Sequence, residues 1–192
     1  MDTHEQLRSL QDALKAFEPL LATVESTAGV IAGALKAGNK LLSCGNGGSA
    51  ADALHLAEEL VGRFDQNRPS LAAICLAADP TLLTCIGNDY GYESIFSRQI
   101  EGLGRPADVL VIFSSSGNSE NLVRGLEAAK AKAMTTIAVL GKTGGKCKGL
   151  AQYEIIVPSN VTARVQEVHT FILHLWLSLV EEELGFAGAK SN

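Results

Sequence analysis

Five short apolar runs, at 40–44, 71–77, 108–113, 135–140 and 153–157, alternate along the chain with stretches of helical period. Few folds accept that alternation. A strand covered on both faces reads as a continuous apolar run, and parallel strands need a crossover long enough to hold a helix. The pattern predicts an α/β fold: a three-layer doubly wound sandwich around a five-stranded parallel sheet of flavodoxin-like type. Helices are expected at 49–62, 80–88, 93–103, 120–133 and 162–184, with a loop at 87–91 and a short helix after Gly144-Gly145. Ligands on such sheets bind beyond the carboxyl ends of the strands.

Both ends of the chain read as helical. Leu7, Leu10, Leu14, Phe17, Leu21, Val24, Ala28, Ile31 and Leu35 recur at spacings of three and four, an a/d stripe. Pro19 should kink that segment, and Gly38-Asn39 should end it. The stripe can pack on its own domain or on another subunit. Residues 171–180 are apolar nearly all round, so this helix is expected to be buried on most sides, with a subunit interface as part of the cover. Together the two ends predict a homo-oligomer. The expected organisation is one domain over 1–192: a helical segment at 1–38, an α/β core at 40–184 and a frayed tail at 186–192.

A chain of 192 residues, 46% hydrophobic, suits one domain with a substantial core. The net charge of -5 argues against sequence-independent nucleic-acid binding, which needs clustered Lys and Arg. The first residues carry no basic and apolar leader, and the most apolar stretch, 168–180, is too short to span a bilayer. A cytosolic protein without membrane partners is expected. None of the four cysteines has C-x-x-C spacing, and Cys44 and Cys75 sit in strand-like runs, which predicts buried reduced thiols. Gly45-x-Gly47-x-x-Ala50 matches a relaxed dinucleotide fingerprint. The strand-end acid that should follow about twenty residues on is missing, so that reading is set aside.

Ser114-Ser-Ser-Gly-Asn-Ser119 places small hydroxyl donors between a strand and a helix start. Free N–H groups and the positive end of the dipole suit a phosphate there. A turn capped by Ser119 would need one serine, not four. Asn46-Gly47-Gly48-Ser49 is a second such loop, open to close approach of a ligand. On the helix it begins, His55 and Glu59 are four apart and share a face, while Glu58 is read as turning elsewhere. Gln166 and His174 lie on one side of the last helix, roughly 80° apart. His169 is rotated away and reads as structural. A Glu and a His beside a phosphate site suit proton transfer, and the four residues could also hold a metal. Spacing alone stops at a phosphosugar site with acid–base chemistry.

With these residues assembled, the chain resembles the sugar isomerase (SIS) domain family, and within it the phosphoheptose isomerases. The resemblance runs from about 32 to 184. It rests on Ser43-Cys-Gly-Asn-Gly-Gly-Ser49, His55-Leu-Ala-Glu-Glu-Leu60, Arg63 with Asn67-Arg-Pro69, Gly87-Asn-Asp-Tyr-Gly91, the Ser114–Ser119 loop, Gly141-Lys-x-Gly-Gly-Lys146, and Val165-Gln-Glu-Val-His169 with His174. It implies an aldose–ketose isomerase that converts sedoheptulose 7-phosphate to D-glycero-D-manno-heptose 7-phosphate, a precursor of bacterial surface heptose. Glu59 would be the base and His174 its acid–base partner. Zinc, one per subunit, would be held by His55, Glu59, Gln166 and His174. Ser114, Ser115, Ser116 and Ser119 would bind phosphate. Asn46, Gly47, Gly48, Asn88 and Asp89, with Glu59 and Gln166, would contact the sugar. The implied assembly is a homotetramer with sites at subunit interfaces. The family often has an acid where this chain has Ala163, which puts rate or metal affinity in doubt. A non-catalytic SIS-domain binder of a phosphosugar or of the replication initiator is the competing function, as is an isomerase or sensor for a shorter sugar phosphate. Glu59 and His174 together favour the enzyme.

Overall fold

The computed structural model describes residues 2–186. The expected tail at 187–192 lies outside the described residues. Five strands form one sheet: β1 (Leu41–Gly45), β2 (Ala73–Cys75), β3 (Val109–Ser114), β4 (Thr135–Gly141) and β5 (Tyr153–Val157). All neighbours pair in parallel, in the order β2-β1-β3-β4-β5. This is the predicted flavodoxin-like sheet, although β2 keeps only the middle of the expected run.

The helices are α1 (Thr3–Phe17), α2 (Leu21–Lys36), α3 (Gly48–Val61), α4 (Pro80–Tyr90), α5 (Ser97–Leu103), α6 (Glu120–Ala131) and α7 (Thr162–Glu183). Strand alternation divides them into two layers. Val109, Val111 and Phe113 of β3 join one core with residues of α2, α3 and α7. Leu110 and Ile112 point the other way, into a core with residues of α5 and α6. Pro19 does interrupt the N-terminal helix: a 3-10 turn, Glu18–Leu20, separates α1 from α2. From Phe17 onward the stripe is buried except at Leu21, which is half-buried, while Leu7 stays 55% exposed.

Two expectations are corrected. Residues 87–90 are not a loop, because α4 continues to Tyr90 and stops at Gly91. Asp79, which accepts N–H bonds from Thr81 and Leu82, and Pro80 fix its start, and Gly91, with φ +87, fixes its end. Residues 93–103 are split into a 3-10 turn, Tyr92–Ser94, and α5. Cys44, Cys75 and Cys147 are buried free thiols, while Cys85 is exposed. Among the described residues no helix is long and apolar enough to cross a membrane.

α7 is fixed to both layers beneath it. Trp176 Nε1 donates to Val24 O at 3.1 Å and to Thr27 Oγ1 at 2.9 Å, which satisfies the indole inside the core. His169, fully buried, places Nε2 at 3.3 Å from Leu140 O. A carbonyl only accepts, so Nε2 carries a proton. Burial pushes its pKa down from 6.5 to about 4, against a smaller upward pull from the Leu140 bond. A base with a depressed folded pKa holds stability above its unfolded pKa and loses it as pH falls. The urea midpoint should therefore drop as pH falls from about 6.5 toward 4, and His169→Gln, which can still donate to Leu140 O, should flatten that limb. An identical pH slope in the variant would show that His169 does not titrate on unfolding.

Candidate active site

Two loops leave the carboxyl ends of adjacent strands. β1 and β3 pair through Gly45↔Phe113, so the loop after Gly45 and the loop after Ser114 emerge side by side. The Asn46 and Asn121 amides join them reciprocally, each donating to the other's oxygen at 2.9 Å. Tyr92 adds a hydroxyl bond to Asn46 Oδ1 at 2.9 Å.

The serine loop is held from below. Gly117 N donates to Ser114 Oγ at 3.0 Å, and Asn118 N to Ser116 Oγ at 3.3 Å. Gly117 has φ +66, and a Cβ there would lie 1.8 Å from Gly144 O. The loop is thus pressed against the turn after β4, where Cys147 N donates to Gly117 O at 2.9 Å. Ser119 is the N-cap residue of α6, yet its side chain makes no cap bond. That removes the simple capping reading and leaves its hydroxyl beside the free N–H groups of the first turn. Ser115 sits half-buried in the same loop.

The second group lies along the seam of α3 and α7. A Cβ on Gly48 would be 2.3 Å from Gln166 Nε2, so only glycine admits that amide. One turn on, Thr170 Oγ1 donates to Asp52 Oδ1 at 2.9 Å. Next, the His55 and His174 rings meet edge-on at 5.0 Å, and His55 Nε2 lies 3.4 Å from Glu59 Oε1. Phe64 stacks on the other side of His174 at 5.7 Å. Burial, then the neighbouring His55, holds His174 below its ordinary pKa, while Glu59 opposes them.

Spacing pairs His55 with Glu59 on α3 and sets Gln166 and His174 on one side of α7; the fold brings the two pairs onto one seam. Spacing misplaces Glu58. His55, Glu58 and Glu59 bring ligand atoms within 4.8 Å of one another, because positions three apart on a helix are also neighbours. One imidazole and two carboxylates, with a second imidazole close by, make a donor set that suits a divalent metal such as zinc. Asn88 and Asp89 stand apart from this group: on the exposed last turn of α4, Asn88 Nδ2 donates to Asp89 Oδ1 at 2.7 Å. Tyr92, Asn121, Asp52 and Thr170 carry no motif and were not foreseen. Only Asn121, two residues past Ser119, sits where a helix-start argument could have found it.

Residues 6–141 match the SIS domain, and the chain belongs to that family. Within it the relatives are phosphoheptose isomerases. The one from Akkermansia muciniphila is 48% identical over 179 residues, covering 93% of this chain and 95% of the relative. The one from Aquifex aeolicus is 53% identical over 168 residues, covering 87% and 88%. The structure of the phosphoheptose isomerase from Francisella tularensis superposes with a TM-score of 0.87 at 31% identity, covering 95% of this chain and all of that one. This chain is accordingly an isomerase of the phosphoheptose isomerase family.

The close fit at Gly117 can be tested alone. Gly117→Ala must adopt a left-handed backbone and push Gly144 aside, at a cost of about 3 kcal/mol. Tm should fall by roughly 10 °C. A Tm unchanged by calorimetry would mean that the two loops are not in this contact.

Proposed function

We propose that the chain interconverts sedoheptulose 7-phosphate and D-glycero-D-manno-heptose 7-phosphate by proton transfer through an enediolate. The observation that carries this reading is the meeting of His55, Glu59 and His174 on the α3–α7 seam, in a chain whose serine loop opens α6. The names and identities of the relatives support the seven-carbon substrate.

Ser114, Ser115, Ser116 and Ser119, with the first N–H groups of α6, take the phosphate. Asn46, Gly47 and Gly48 line the way to the α3–α7 seam, and the sugar lies along them. Glu59 removes a proton from C1 of the ketose and returns it to C2. His174 passes the hydroxyl proton from O1 to O2, so the two transfers leave no net charge. Asn88 and Asp89 contact the sugar from α4 only if that element belongs to the same pocket in the assembly. His55, Glu59, Gln166 and His174 would hold zinc, with Glu58 in reach as a further carboxylate. Bound there, zinc supplies Lewis-acid polarisation of the sugar oxygens.

The reading includes a homotetramer. Leu54 and Val61 on α3, and Phe171 on α7 beside Phe17 of α1, stay exposed, where a second subunit would cover them. It also makes the product a precursor of bacterial surface heptose and keeps the protein in the cytosol.

Turnover of sedoheptulose 7-phosphate, followed by product formation with and without chelator, tests the assignment. Glu59→Gln keeps shape but cannot accept the carbon proton, so kcat should fall at least about 1,000-fold while substrate still binds. Chelation should lower the wild-type rate if zinc contributes. Wild-type turnover in Glu59→Gln would remove Glu59 as the base. Silence of the wild type with added zinc would favour a binding module.

A further inference from the structure

Arg68 lies in the loop after α3, and its side chain is fully buried; Glu181 on α7, its ion-pair partner, is 4% exposed. Arg68 Nε donates to Glu181 Oε1 at 2.7 Å. Nη2 donates to Glu59 O at 2.7 Å, and Nη1 to Leu60 O at 2.9 Å and Pro69 O at 3.1 Å. The Glu181 carboxylate in turn receives the N–H groups of Phe64, Asp65 and Gln66, each at 3.3 Å. One ion pair therefore grips the end of α3, the bend after it, and α7.

A helix end leaves its last carbonyls without partners, and a cation there also meets the negative end of the dipole. The carbonyls taken here include that of Glu59 itself. The N–H groups held by Glu181 include that of Phe64, whose ring stacks on His174 at 5.7 Å with the planes 26° apart. Both members of the acid–base pair are thus attached, by one step each, to the same buried charges. A buried ion pair is a poor source of net stability, since an apolar pair of equal volume serves as well. The planar guanidinium, spread over Glu181 and the carbonyls of Glu59, Leu60 and Pro69, fixes direction, which an apolar pair does not.

We infer that Arg68 and Glu181 are positioning residues for the isomerisation: they set the Glu59 carboxylate through the end of α3 and the His174 ring through Phe64. The inference rests on the roles given to Glu59 and His174 above. Two variants test it. Glu181→Gln keeps the volume and one acceptor, and Arg68→Lys keeps the charge but loses the fork. Assayed well below its own Tm, each should lower kcat about tenfold with KM within about twofold, because small misplacement of a reacting group is costly. The double variant should lose little more than the worse single one, as expected of one unit.

Asp108→Asn is the control. It breaks the Lys40–Asp108 ion pair, between the residues that precede β1 and β3, which touches neither α3 nor α7. It should lower Tm and leave kcat unchanged. Proton NMR of His174 supplies the readout independent of activity: loss of the Phe64 ring-current shift is expected in Glu181→Gln. Wild-type kcat in both folded variants, or a His174 ring that does not move, overturns the inference. If the wild type itself does not turn over sedoheptulose 7-phosphate, the isomerase reading falls, and the NMR arm alone decides whether the pair sets the ring.

Discussion

The site depends on α3 and α7 lying side by side and pointing the same way. Contacts climb the seam in register: Gly48 against Gln166, Asp52 with Thr170, His55 with His174, and the turn after α3 with Glu181. Each helix follows a strand of a parallel sheet and crosses to the same face, so their common direction is a consequence of the sheet. Trp176, bonded to α2 from inside the core, stops α7 from rotating. A slip of one residue along either helix would turn its functional side chain by about 100°.

Face decides chemistry on α7. His169 and His174 are five residues apart, and the intervening rotation sends one inward and one to the seam. The inner ring is neutral, bonded to Leu140 O and shielded from water. The seam ring has a carboxylate and a second imidazole nearby and remains partly accessible. The same residue type is thus a neutral filler in one place and a solvent-reachable imidazole beside a carboxylate in the other.

The sheet was legible because parallel strands covered on both faces leave uninterrupted apolar runs such as 108–113. β5 was readable to the residue, whereas α4 was cut short because Gly87-Asn-Asp looked like a loop, while the left-handed residue that ends the helix is Gly91. His55 and Glu59 were legible because both partners sit on one helix. Spacing on α7 set Gln166 and His174 on one side, but only tertiary structure could bring His174 onto His55. Glu58 was missed because helical projection separates side chains that flex enough to meet. Arg68–Glu181 spans 113 residues and Asn46–Asn121 spans 75, so neither leaves a periodic trace; each exists only once the layers are assembled.

Glu59 as the carrier of a carbon proton is the central claim. Its carboxylate is 20% exposed in the chain, so a proton it holds can exchange with solvent before delivery. Isomerisation in D2O, read by NMR at C2 of the aldose, tests this directly. Enediolate chemistry through Glu59 predicts deuterium at C2 in the wild-type product, and neither product nor exchange in Glu59→Gln. Product formed at full rate with C2 wholly protonated would mean that the hydrogen moves without exchanging on Glu59, and would contradict the account.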